Sequence, residues 1–203
     1  MLLPIDINTI KGFLDPQEGA ALHQFCMETS SLGPCLEVGS YCGKSTVYLG
    51  DAAKKTNNTV YAVDHHRGSE EHQLGEEYHD PDLYDSGAGL MDSFREFRKA
   101  MRAANLENHV VPIVASSTVA ARHWVTPLGM VFIDGGHSWE AALNDYRSWV
   151  AHIRPGGILA IHDIFPNPAE GGQAPYDIWK LAKASGLFEE LPMVKTLGLF
   201  RRL

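Results

Sequence analysis

The sequence predicts an α/β fold built on a mostly parallel sheet with helices on both faces. Three observations carry that expectation. Five short apolar runs, at 35–38, 59–63, 110–114, 130–133 and 158–161, alternate with amphipathic stretches. Short runs without polar alternation mark strands buried on both faces, as in parallel sheets joined by helical crossovers. Two further runs, 188–194 and 196–201, read as closing strands that add a C-terminal antiparallel hairpin and bring the sheet to seven.

The elements follow in order. Asp15-Pro16-Gln17-Glu18 is a capping box with proline at the first helical position, and it opens a helix to about Ser31. A helix over 43–55 follows the first strand. The stretch 90–104 carries Phe94, Phe97 and Met101 at core spacing and reads as another helix. Pro112 places the third strand at a sheet edge. A short helix is expected over 118–124. The strongest helical pattern runs over 138–153 and stops at Arg154-Pro155-Gly156-Gly157, and a last helix covers 176–184.

The 203 residues fit a single domain, taken as 1–203 with residues 1–33 as an N-terminal helical segment. With 44% apolar and 21% charged residues, the composition excludes a disordered or fibrous chain. A net charge of −8 argues against nucleic acid or an anionic membrane as partner. No apolar run approaches the ~18 residues a bilayer span needs. The start lacks the basic and apolar regions of a signal peptide. Cys26, Cys35 and Cys42 form no disulfide framework or zinc knuckle, so the expected compartment is reducing and cytoplasmic. A homo-oligomer stays open.

The charge is concentrated. Eight acidic residues and one base, Arg67, lie between Asp64 and Asp85, together with His65, His66, His72 and His79. The stretch 65–89 is too long and too aperiodic for an idle connection, and it reads as an acidic, histidine-rich lid over a site. His66, Arg67, His79 and Tyr84 are its candidate substrate contacts, and Tyr78 can add an apolar wall. The region 166–175 is a second rim.

In parallel sheets ligands sit outside the carboxyl ends of the strands. After the first strand stands Glu37-Val38-Gly39-Ser40-Tyr41-Cys42-Gly43-Lys44-Ser45, a glycine turn that aims backbone amides at a ligand. It is not G-x-G-x-x-G, because Tyr41 and Lys44 stand where a dinucleotide fold has glycines. The second strand ends in Asp64, suited to accept ribose hydroxyls. Ser116 and Ser117 follow the third. The fourth delivers Asp134-Gly135-Gly136-His137 and the fifth His162-Asp163. Two carboxylates with imidazole nitrogen make a divalent-metal set, Mg²⁺ or Mn²⁺ where oxygen dominates. His137 can instead remove a proton near neutral pH.

Residues 36–45 resemble the S-adenosylmethionine-binding turn of catechol O-methyltransferase-like enzymes. Ile133 to Glu140 with His162-Asp163 resembles the bacterial class I methyltransferases grouped near macrocin-type and cephalosporin-tailoring enzymes. The resemblance covers about residues 34–165 and implies a Rossmann-like methyltransferase fold. It implies that Gly39 and Gly43 pass the methionine part of the cofactor, with Glu37, Ser40, Tyr41 and Ser45 in the same binding turn. Asp64 would hold the ribose with His65 beside it, Ser116 and Ser117 would flank the adenine, and Asp134 would border the cofactor. Asp134, His162 and Asp163 fall where metal-dependent relatives keep their ligands, although catechol-type enzymes carry Asp-Asn in place of His162-Asp163. His137 falls where those enzymes keep a catalytic lysine, which makes it the candidate general base beside Asp134. The implied activity is methylation of a small hydroxylated substrate. A nicotinamide-dependent oxidoreductase, a metal hydrolase and a non-catalytic cofactor-binding module are the rival readings.

Overall fold

A computed structural model describes residues 1–68 and 80–203; the expectations placed on His72, Tyr78 and His79 lie outside the described residues. In chain order the elements are α1 (Pro16–Glu28), β1 (Cys35–Val38), α2 (Lys44–Thr56), β2 (Val60–Val63), β3 (Tyr84–Asp85), β4 (Leu90–Met91) and α3 (Phe94–Ala103). There follow β5 (Val110–Ile113), α4 (Ser117–Ala121), β6 (Leu128–Ile133), α5 (Trp139–Trp149), β7 (Ile153–Ile161), α6 (Ala174–Ala184), β8 (Phe188–Val194) and β9 (Leu197–Arg202).

Seven strands form one sheet in the order β5-β2-β1-β6-β7-β9-β8. The first five pair in parallel, and β9 runs antiparallel to both β7 and β8, as the sequence predicts. Pro112 lies on the edge strand β5, where its missing N–H removes no interior ladder bond. Side-chain alternation explains how one strand serves two cores. Met130 and Phe132 of β6, with Ile158 and Ala160 of β7, face a layer that includes Leu22 of α1, Val47 of α2 and Phe97 of α3. Val131, Ile133, Leu159 and Ile161 face the opposite layer, with Ala142 and Trp149 of α5 and Ile178 of α6. Among the described residues no helix is long and apolar enough to cross a membrane.

The chain winds from β1 outward to β2 and β5, then crosses back to β6 and β7. Order therefore reverses between β1 and β6, and a crevice opens beyond their carboxyl ends.

Two boundaries differ from the sequence pattern. α5 ends at Trp149, and after a short 3-10 turn the chain is already extended at Ile153. Ile153 pairs with Leu128 while Met130 pairs with Ile158, so Arg154-Pro155-Gly156-Gly157 is a bulge within β7 rather than a helix stop. α3 starts at Phe94, because Leu90 and Met91 pair with Asp85 and Tyr84 in a small hairpin. Leu83 and Met91 are buried in the first core, which pins this end of the acidic stretch to the body of the molecule.

Candidate active site

A cavity of about 480 Å³ occupies the crevice. At its floor the ends of β1 and β6 nearly touch. Gly39 has φ +86°, and a Cβ there would lie 2.0 Å from the Asp134 carbonyl oxygen, so only glycine fits the crossing. Gly43 takes φ +92° as the residue before α2. Ser40 and Tyr41 line the cavity, and the buried Ser40 hydroxyl has no hydrogen-bond partner among the described residues.

Glu37 lies beneath this turn, fully buried and outside the cavity wall. Its two oxygens accept the Ser45 and Thr46 hydroxyls at 2.5 Å, which ties β1 to the first turn of α2. Burial pushes its carboxyl up to about 8, although both hydroxyl contacts oppose the shift. Ser45 lines the cavity, but its hydroxyl is committed to Glu37.

Asp64, at the end of β2, is held by backbone. Its Oδ2 accepts the Tyr41 N–H at 2.8 Å and its Oδ1 the His66 N–H at 2.7 Å. A carboxylate has about four acceptor positions, so two remain for a ligand. His65 lines the cavity beside it, and Ser116 and Ser117 line the wall beyond β5.

The other end of the cavity is made of side chains. His162 is buried, and its Nδ1 lies 3.1 Å from Asp134 Oδ1 and 3.3 Å from Asp163 Oδ1. Asp163 has φ +59° and its Oδ2 is 3.2 Å from His137 Nε2. On its far side His162 Nε2 lies 2.9 Å from Glu18 Oε2. Glu18 also accepts the Asp15 N–H at 3.1 Å in the capping box, and both the N–H and the hydroxyl of Thr196 at 2.8 Å. With four donors around it Glu18 is an ionised acceptor, so His162 must carry a proton on Nε2. Burial opposes charge on His162, but the Asp134, Asp163 and Glu18 carboxylates outweigh it and hold the imidazole protonated well above its usual range. Burial likewise opposes charge on Asp163, yet hydrogen bonds from His137 and His162 hold its carboxyl well below the usual range.

The donor atoms of Asp134, His162 and Asp163 lie within 4.8 Å of one another. With its Nδ1 proton displaced by a cation, His162 would present that nitrogen to the group while Nε2–H points at Glu18, the carboxylate–imidazole arrangement that orients a metal-bound histidine. The residues present fit a divalent cation.

The expected substrate contacts are distributed differently. His66 is buried between Phe94 and Phe97, with its Nδ1 2.9 Å from the Ser93 hydroxyl, and it does not line the cavity. Arg67 reaches the Met91 carbonyl at 3.2 Å, and neither it nor Tyr84 lines the cavity. The rim expected at 166–175 folds on itself, where Gln173 donates to the Phe165 and Gly171 carbonyls.

Three groups go beyond the sequence reading. The strap Lys11 to Leu14 forms one wall, tied down by Lys44 Nζ on the Gly12 carbonyl at 2.9 Å. Glu18 was legible as a helix cap, but nothing local signals its reach to residue 162. Asp145 lines the cavity from α5 and is buried; it stands on the same helix stripe as Ala142 and Trp149, and a carboxylate on an apolar stripe was the available signal.

The chain matches a family model described as a methyltransferase domain over residues 36–164. Similar solved structures include the O-methyltransferase NovP, with TM-score 0.69 and 18% identity over 92% of this chain and 79% of that one. The O-methyltransferase TomG from Streptomyces achromogenes, solved with S-adenosylmethionine, gives TM-score 0.65 and 13% identity over 94% and 81%. Podospora anserina methyltransferase PaMTH1, bound to S-adenosylhomocysteine, gives 0.66 and 13% over 94% and 80%. At these identities the structures establish the shared fold, while the family model spans well over half of the chain. The chain belongs to this methyltransferase family and is an S-adenosylmethionine-dependent methyltransferase.

Proposed function

We propose that the chain methylates a hydroxyl oxygen of a small molecule, with a divalent cation such as Mg²⁺ or Mn²⁺ held by Asp134, His162 and Asp163. The observation that carries this reading is that one cavity joins the backbone-held Asp64 to the Asp134–His162–Asp163–His137 group. The O-methyltransferases NovP and TomG, similar in fold, support oxygen as the acceptor atom. The three buried free thiols support a reducing, cytoplasmic setting.

The methyl donor supplies a sulfonium carbon that needs an in-line nucleophile at near-attack distance, and a cation at the carboxylates lowers the pKa of a bound hydroxyl. The chain's own residues do the rest. Asp64 accepts the ribose hydroxyls with its two remaining positions, and the 39–43 turn with Ser40 receives the methionine end. Asp163 orients His137 through Nε2, and His137 accepts the hydroxyl proton as general base. Lys11 to Leu14, with His65 and Gly68, shape the mouth where the acceptor enters.

The test separates the two ends. Asp134→Ala and Asp163→Ala should bind S-adenosylhomocysteine within about threefold of the parent by calorimetry, while turnover on a panel of hydroxylated compounds falls by about 10³-fold or more. Full activity in the presence of a chelator sinks the metal assignment. Methylation confined to amines or thiols sinks the acceptor assignment.

A further inference from the structure

Lys195 and Thr196 alone connect β8 to β9, with Val194 paired to Leu197 and Lys195 at φ +55°. Strand pairing fixes where this turn stands. Ile161, the last residue of β7, pairs with Gly198 of β9, so Thr196 lies beside the residues that follow β7. Those residues are the His162-Asp163 pair.

Thr196 reaches both of them. Its carbonyl accepts the Ile164 N–H at 2.9 Å, while the His162 N–H donates to the Ile133 carbonyl at 3.0 Å. Asp163 stands between these two bonds at φ +59°, a conformation that a non-glycine residue keeps only when its surroundings hold it. The second contact is through the side chain. The Thr196 hydroxyl and N–H both donate to Glu18 Oε1 at 2.8 Å, and Glu18 Oε2 lies 2.9 Å from His162 Nε2. The two oxygens belong to one planar group, so the donors on Oε1 set where Oε2 stands. Glu18 is only 2% exposed, and a donor taken from it leaves a buried carboxylate oxygen short of a partner.

We propose that Thr196 is a positioning residue for the divalent cation, its hydroxyl setting the His162 imidazole through Glu18. The proposal rests on the reading of Asp134, His162 and Asp163 as cation ligands. A ligating histidine needs its other nitrogen held by a fixed acceptor, and loss of such support costs about 10- to 100-fold in metal affinity. The hydroxyl acts one residue further out, which puts its effect at the lower end of that range.

The test measures Mn²⁺ affinity by calorimetry in the parent, Thr196→Val and Thr196→Ser. Valine keeps the branched shape and the backbone N–H and removes only the hydroxyl, which serine retains. Thr196→Val should bind Mn²⁺ about tenfold more weakly than the parent, and Thr196→Ser should match the parent within about twofold. S-adenosylhomocysteine affinity, read on the same samples, should stay within about twofold in both, since the Asp64 end shares no partner with Thr196. In a Glu18→Gln background Thr196→Val should add less than about twofold, because it acts through that carboxylate. Unchanged Mn²⁺ affinity in Thr196→Val overturns the proposal, and so does a serine variant as weak as the valine one. Equal weakening of Mn²⁺ and S-adenosylhomocysteine also overturns it and leaves the hydroxyl as a brace of the fold. A full tenfold loss added to Glu18→Gln overturns the route through Glu18. A parent that binds no Mn²⁺ while still binding S-adenosylhomocysteine overturns the cation reading beneath it, and the proposal with it.

Discussion

The two ends of the cavity are built on different principles. At the Asp64 end the carboxylate is gripped by two backbone N–H groups, and the β1 and β6 ends meet through a glycine that leaves no room for a Cβ. At the His162 end the geometry comes from side chains on distant elements, with Glu18 of α1 and Thr196 before β9 holding the imidazole from behind. The first end inherits its precision from strand register and tolerates changes around it. The second depends on several remote residues at once, so a single substitution far along the chain can loosen it.

The largest expected effect breaks the first end. Gly39→Ala places a Cβ against the Asp134 carbonyl and forces a positive φ on alanine. Backbone strain and overpacking together should cost about 4 kcal/mol, a large share of the ~5–15 kcal/mol that holds a domain folded. Urea titration should show a much lower midpoint, with S-adenosylhomocysteine binding lost. A loss near 1 kcal/mol would mean the two strand ends can part at little cost.

Glu18→Gln attacks the other end from behind. The amide can satisfy only part of the four donors, and the buried imidazole loses one of its charges. Breaking such a buried pair should cost about 3 kcal/mol. Mn²⁺ affinity, followed by calorimetry on the folded variant, should fall by about 10- to 100-fold. Affinity for S-adenosylhomocysteine should stay within about threefold; an equal loss of both would show the two ends to be one unit.

The same contrast explains what the sequence discloses. Strands 35–38, 130–133 and the partners between them are legible because apolar runs and a glycine turn are local signals. Asp64 is legible because it terminates a β-branched run. Glu18 is visible only as a capping-box residue, since no periodicity encodes a contact with a histidine 144 residues later. The Lys11 to Leu14 wall is equally silent, being placed by Lys44 and by Asp80 and Asp82 rather than by its own pattern. Arg154-Pro155-Gly156-Gly157 carries every local mark of a helix stop, yet the pairing of Ile153 with Leu128 makes it a bulge.

A pH titration sharpens the comparison at the backbone-held end. Glu37 keeps its proton in the folded chain up to about 8, whereas an unfolded glutamate gives it up near ~4.3. Folding therefore takes up a proton between those values, and this contribution to stability is full below the lower one. It fades as pH rises and is gone above the upper one, with a slope of about 1.4 kcal/mol per pH unit for one proton. Glu37→Gln keeps an acceptor for the Ser45 and Thr46 hydroxyls and removes the titration. Urea midpoints at pH 5, 6, 7 and 8 should thus converge between parent and variant at low pH and separate in the variant's favour toward pH 8. Parallel curves would show that Glu37 is ionised throughout.

The smallest expected effect lies at the mouth. Lys11 Nζ sits 2.5 Å from Asp80 and 2.9 Å from Asp82, and these contacts raise its pKa despite some desolvation. The pair is partly exposed, since the Lys11 side chain keeps 39% of its accessibility and Asp82 keeps 82%, so solvent and salt screen it. Lys11→Ala should therefore cost less than about 1 kcal/mol in urea titration. The strap remains anchored through Gly12 and Lys44, which leaves the Asp64 end intact and should keep S-adenosylhomocysteine affinity within about twofold. What changes is the register between the strap and the stretch that begins at Asp80. KM for the hydroxylated acceptor should rise a few-fold while kcat holds, and raising the salt concentration should produce the same shift in the parent but not in the variant. A fall in kcat with KM unchanged would place Lys11 in the chemistry instead of at the rim.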